Sequence, residues 1–364
     1  MLLRILFFCL VQQPDVRLTV EDLVSLHQTS ILSIHELDFV LEVYSGKAFD
    51  LGERLRYSRD GVGERLRTEA VRFPAEDPKR FVDVFRDGEQ SSRLEGDDPA
   101  KKKLITDPFE AQGMAGARLR PGEVEALFRA LSNVNLRFSV DTLDRHRQLA
   151  ELVADARVVH GEDAVALMPK AEVQGASCFH LRIQHPGLVN VHTGMREHES
   201  SELHVFLDPT VGYLARRVEV HRRRIPADVL YVVTKEVTEF KAVHDNLYFP
   251  MRVTGTDLYG DENASPVNPR CEFRVSNLTV NEVLPDDAMD FSFPENLLIS
   301  DSVDTESPLL VWVGKGNKPL KTFRSDDELN QFLVTRQSGG IATKRHLAIG
   351  IVVFNAGILG LVYL

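Results

Sequence analysis

The sequence predicts a mainly β protein with some helix: one large, curved antiparallel sheet, a half-barrel, enclosing a few helices, plus a C-terminal transmembrane helix. Three observations lead there. Short runs with apolar residues at every second position recur along the chain, separated by Ser-Gly, Asp-Gly and Asp-Asn turn signals. Helical spacing of apolar residues is confined to a few segments. The final residues form an unbroken apolar run.

The N-terminus, "MLLRILFFCLVQQPD", places Arg4 ahead of an apolar run from Ile5 to Val11. Residues 1–13 thus resemble a short secretory signal, although no A-x-A-like cleavage site follows. "LFFC" before Cys9 lacks the small residues of a lipid-attachment signal. Residues 19–33 have helical spacing behind a Thr19 cap. The period then changes: Leu37, Phe39, Leu41 and Val43 alternate with Glu36, Asp38 and Glu42 in a half-buried strand closed by Ser45-Gly46. "GERLRYSRDG", "GERLRTEAVRF" and the hairpin "KRFVDVFRDGEQSSRLEG" extend it into a meander that turns at Asp60-Gly61 and Asp87-Gly88.

Residues 98–155 read as a helical insert, with helices over 122–132 and 140–154. From 156 to about 300 strands dominate: "ARVVHG", "AVALMPK", "SCFHLRIQH", "ELHVFLD", "YLARRVEVHR", "DVLYVVTKEVTEFKAV", "LYFPMRVTG" and "RCEFRVSNLTVNE". Pro250 cannot donate a ladder hydrogen bond, so it marks an edge, a bulge or a non-bonded position. Residues 301–340 form a connector, a hairpin around Gly314–Asn317 and a helix opened by the capping pattern Ser325-Asp326-Asp327-Glu328. The terminal span, 346–364, includes "LAIGIVVFNAGILGLVYL" from Leu347, which at helical rise reaches about 27 Å, enough to cross a hydrocarbon core.

Composition bounds the function. A chain of 364 residues with 43% hydrophobic and 27% charged residues buries a sizeable core. The net charge of −11 argues against nucleic acid as a partner, because phosphate binding rests on a basic surface. The basic runs at 101–103 and 222–224 read as solvated loops or turns. Cys178 and Cys271 admit a disulfide in an exported protein, but two buried thiols is the favoured reading.

Catalytic signatures are missing. The sequence has no G-x-S-x-G elbow, S-x-x-K, kinase set, Walker A loop or H-E-x-x-H. His180, His185, His192, His198 and His204 crowd one region but fall on several strands and loops without metal-ligand spacing, so no metal, cofactor or catalytic residue is assigned. The expectation is a protein that is not an enzyme. What needs explaining is a long sheet with one apolar face, which helices must either fill or roof over to leave a cavity for an acyl chain. Residues assigned to alternating apolar faces, and so candidates to line such a cavity, are Phe39, Leu41, Val43, Leu203, Val205, Phe249, Met251 and Phe273.

Element order and three segments resemble one family. After the helix, the meander and the insert come "FLDPTVGYLARRVEVHR" at 206–222, "EVTEFKAVHDNLYFPMRVT" at 236–254 and "NLTVNEVLPDDAMDFSFPEN" at 277–296. Over residues 15–300 this resembles the LolA/LolB lipoprotein-carrier superfamily, in a membrane-tethered variant. The resemblance implies a half-barrel with a helical lid, an apolar cavity for a lipid acyl chain or a lipoprotein, and a place in the bacterial envelope. The C-terminal helix and the insert depart from the soluble carriers. Relatives of the fold also act as envelope sensors, so a regulatory module that binds a membrane protein partner is the alternative. Lys344 and Arg345 would place their flank in the cytoplasm, and a signal would place the domain outside. Orientation rules are weak for long translocated domains, so the periplasmic side is expected.

Overall fold

The computed structural model describes residues 18–45, 50–70, 81–87, 91–96, 114–119, 148–185, 198–224, 229–244, 246–260, 271–303 and 309–338. In chain order these form α1 (Val20–Leu32), β1 (Leu37–Ser45), β2 (Asp50–Arg59), β3 (Gly63–Ala70), β4 (Phe81–Asp87), β5 (Ser91–Gly96), β6 (Met114–Leu119) and α2 (Leu149–His160). They continue as β7 (Val165–Val173), β8 (Ala176–His185), β9 (His198–Asp208), β10 (Leu214–Arg224), β11 (Val229–His244), β12 (Leu247–Gly260) and β13 (Cys271–Val280). The last are β14 (Leu298–Asp301), β15 (Leu309–Val313), β16 (Pro319–Phe323) and α3 (Asp326–Ser338). The fold is mainly β, one 16-stranded sheet in the order β16-β15-β14-β6-β5-β4-β3-β2-β1-β13-β12-β11-β10-β9-β8-β7. It is mostly antiparallel; β6 and β14 run parallel.

The chain divides into two compact units. The first comprises Met1–His35, Val43–Asp50 and Arg129–Ser276. Helix α1 opens on a capping box: Thr19 Oγ1 accepts from Asp22 N–H at 3.2 Å, and Asp22 Oδ2 accepts from Thr19 N–H at 2.9 Å. Its Leu23 joins Leu149, Leu152, Val153 and Ala156 of α2 against Leu181, Ile183, Leu203, Val205, Leu207, Val218 and Val220 of the sheet. The helices therefore cover one face of this unit's strands, and alternation sends the other side chains of β8–β10 to the opposite face.

The second unit comprises Glu36–Glu42, Leu51–Phe128 and Asn277–Leu364. The meander β2–β5 pairs as read from the sequence, and Asp60 Oδ1 accepts from the Val62 and Gly63 amides to close the first turn. Phe81, Leu94, Phe293, Leu297, Ile299, Val311 and Val313 make one core, and Phe323, Leu329 and Leu333 make another around α3. Ser325 Oγ accepts from the Glu328 amide at 3.3 Å, as the capping pattern required.

Some expectations need correction. "ARVVHG" is not a strand: α2 runs through it to His160. The buried set Leu149, Leu152, Val153 and Ala156 keeps helical spacing, whereas Val158 and Val159, the β-branched pair that suggested a strand, are exposed. The expected helical insert contains a strand, β6, whose small residues concealed it. A Cβ on Gly116 would lie 2.7 Å from Ile299 Cγ2, so close pairing with β14 selects glycine there. The second insert helix was expected over 140–154; the described helix runs from Leu149 to His160. The helix expected over 122–132, the signal-like residues 1–13 and the terminal span 346–364 lie outside the described residues. Among the described residues no helix is long and apolar enough to cross a membrane.

Candidate functional site: the apolar face of the first unit

A single transverse row crosses β7–β13: Leu167, Leu181, Val205, Val218, Lys235, Gly255 and Cys271 stand opposite one another in register. Directly paired residues share a face, so the row lies on the helix-bearing side. Lys235 is buried there, and its Nζ lies 4.8 Å from the centre of the Phe273 ring, a cation–π contact. A Cβ on Gly255 would overlap Cys271 Sγ and lie 3.6 Å from Lys235 Cε, so glycine leaves the space that both side chains use.

The eight candidate lining residues separate into groups. Leu203 and Val205 belong to the core beneath α1 and α2, where their surface is spent on helix packing. Phe249, Met251 and Val253 alternate along β12, and Val253 stands opposite Phe273. Phe249 is fully buried; Met251 and Phe273 are half-buried. Pro250 falls within the irregular part of the β11–β12 ladder, where the register shifts on either side of Glu239, as its missing N–H requires. Val43 is half-buried in the first unit. Phe39 and Leu41 belong to the second unit, where both are buried and the Phe39 ring packs on Tyr57 with centres 5.6 Å apart. Val43, Leu203, Val205, Phe249, Met251 and Phe273 thus share a unit; Phe39 and Leu41 belong to the other.

A small cavity among the described residues is lined by His27, Gln28, Ile31, Gln148, Leu149 and Ala150. Its volume of about 10 Å³ suits one water molecule, and none of the predicted lining residues borders it. His27 Nε2 is buried there and has no hydrogen-bond partner among the described residues.

No family model matches the chain, and no curated protein does. Two solved structures are similar in part. The Mycobacterium tuberculosis lipoprotein LppX is 8% identical over 73% of this chain and 99% of its own, with a TM-score of 0.24. LprF from Mycobacterium bovis is 9% identical over 74% and 96%, with a TM-score of 0.25. At such low overlap neither carries an argument about function.

The opposite face of the first unit gathers a group that sequence spacing missed. His180 Nε2 lies 2.9 Å from His204 Nδ1, and the His204 and His221 rings are centred 4.4 Å apart. Phe206 stacks on His180 at 4.3 Å. His221 Nε2 meets Glu219 at 3.0 Å. His192 and the side chains of His185 and His198 lie outside the described residues. His221, on β10, was overlooked because it lies outside the crowded segment; only the strand register brings it near. Burial, and then the neighbouring histidine, push His180 below its ordinary pKa; burial and His221 do the same to His204. Among the described residues no group of His, Cys, Asp and Glu is placed to hold a metal ion. Cys178 is buried and Cys271 half-buried, and they are not joined in a disulfide.

Proposed function

We propose that the chain is a non-catalytic, membrane-anchored protein of the bacterial envelope that binds a lipid acyl chain or a lipoprotein on its extracytoplasmic side. One observation carries the reading. The apolar side of the first unit continues past the core beneath α1 and α2 onto strands β11–β13, through Val237, Phe249 and Val253, which are buried, to Met251 and Phe273, which are half-buried and offer the accessible part of the strip. An aliphatic and aromatic strip of this kind suits an acyl chain, which needs apolar contact and few polar partners. The absence of nucleophile, cofactor-binding and metal motifs from the sequence agrees with a binding role.

Native mass spectrometry of the full chain, extracted in mild detergent, tests this. Co-purifying lipid, and displacement of a fluorescent acyl probe that weakens at least tenfold in Met251→Trp with no change in thermal stability, are expected. No lipid and no probe binding by the folded protein would remove the reading and leave an interaction module as the alternative.

A further inference from the structure

The second unit carries an arrangement that acyl-chain binding does not use. Arg56 on β2 and Arg67 on β3 stand directly opposite each other, a pairing of like charges that costs stability unless an anion offsets it. Buried Asp38 takes one edge of Arg56, through Nε at 2.8 Å and Nη2 at 3.1 Å, and is itself held by Ser58 Oγ at 2.6 Å. Buried Asp83 likewise fixes the neighbouring Arg65 through Nε at 3.0 Å and Nη2 at 2.9 Å. The guanidinium groups of Arg56 and Arg65 are therefore fixed from beneath by carboxylates.

The segment following β13 supplies a third carboxylate. Asp287 Oδ2 and Oδ1 accept from Arg56 Nη1 at 2.9 Å and Nη2 at 3.1 Å, and Oδ2 lies 3.6 Å from Arg67 Nη1. Arg65 Nη1 donates to the carbonyls of Asp287 and Asp290. Unlike Asp38 and Asp83, Asp287 is largely exposed, with 65% of its side chain accessible. Both of its oxygens hydrogen-bond to Arg56, and only Oδ2 also approaches Arg67, through Nη1. Among the described residues the buried Nε and Nη2 donors of Arg67 have no hydrogen-bond acceptor. A planar carboxylate thus meets Arg56 through two donors and Arg67 through Nη1 alone. A tetrahedral phosphate has enough oxygens to bridge both arginines, each through two donors.

We infer that Arg56 and Arg67 form a binding site for a phosphate group, and that Asp287 occupies it as an internal competitor. The inference does not depend on the acyl-chain reading. It fits a free phosphate or the phosphomonoester of a lipid headgroup; the two share this chemistry.

The test uses the full chain, titrated with inorganic phosphate by calorimetry at constant ionic strength balanced with chloride. Asp287→Ala should bind phosphate at least tenfold more tightly than the wild type. Adding Arg67→Met to that variant should abolish binding, which separates the site from the general stabilising effect of phosphate. Asp287→Asn, which keeps the side-chain shape, carries the same prediction should the alanine variant fail to fold. Flotation with phosphatidic acid vesicles against phosphatidylcholine vesicles distinguishes the sources: Arg67-dependent flotation assigns a headgroup, and phosphate binding without flotation assigns a free phosphate. Folded Asp287 variants that bind neither, or that bind equally with and without Arg67, would overturn the site and leave Asp287 as a structural clamp.

Discussion

His27 Nδ1 on α1 lies 2.9 Å from the carbonyl oxygen of Tyr213, 186 residues away in the chain. A carbonyl only accepts, so Nδ1 carries the proton and donates, and buried Nε2 is left as the unprotonated nitrogen. Burial drives the pKa down from 6.5 to about 4, outweighing the carbonyl bond, which favours the charged form.

The sign of the consequence follows. Between pH 6.5 and about 4 the unfolded chain binds a proton that the folded chain does not. Stability should therefore fall as pH drops through that window, by about 3 kcal/mol for this group. Urea denaturation across the window measures it, and His27→Gln should flatten the slope. An unchanged slope in the variant would refute the assignment.

Asp208 and Arg216 make a second test. The Asp208 carboxylate is fully buried; Oδ2 accepts from Arg216 Nε at 2.6 Å, and Oδ1 accepts from the Thr210 amide at 2.8 Å. The β9–β10 register slips at Arg216, and that bulge gives it the reach. Arg216→Met leaves a buried charge without its cation and should cost about 3–5 kcal/mol. Asp208→Asn combined with Arg216→Met should cost less than Arg216→Met alone. Denaturant midpoints for the wild type and the two variants decide the matter.

These cases show what the sequence could and could not reveal. Thr19 and Asp22, the alternation from Leu37 to Val43 and the Asp60 turn act through neighbours a few residues away, so their elements were legible. β6 was not, because its pattern is set by contact with Ile299, far along the chain. The split of the eight candidate residues followed the same rule. Alternation showed that Phe39 and Phe249 each sit on an apolar face; it could not show that they belong to different compact units. Arg56, Arg67 and Asp287 were illegible as a group, since a register and a long connection bring them together.

The histidine group predicts a titration. One proton at most lies between His180 Nε2 and His204 Nδ1 at 2.9 Å. Charging either ring brings a cation beside the other two histidines and Arg182, with Glu202 and Glu219 as the opposing carboxylates. Both His180 and His204 should titrate below 6.5 in nuclear magnetic resonance spectra of the folded chain. Their contribution to stability is full above 6.5 and is lost as the pH falls toward their folded values. Normal titration of both would mean that the rings are solvated and apart.

The row through Lys235 gives the last prediction. Gly255 faces Cys271 across the β12–β13 ladder, and a methyl group at Gly255 would overlap the sulfur. Strand neighbours hold the two backbones, so Gly255→Ala must displace the Cys271 side chain or part the strands. Overpacking of this size costs about 1–3 kcal/mol. Cys271→Ala alone removes one half-buried sulfur and should cost less. Combined, the substitutions remove the overlap, and the double variant should be more stable than Gly255→Ala alone. Simple additivity would show that the two side chains do not share that space. The cycle also bears on ligand binding, because Phe273 and Lys235 border the same row. If an acyl chain lies along this strip, Gly255→Ala should weaken probe binding by a factor that Cys271→Ala restores, measured where both variants are fully folded.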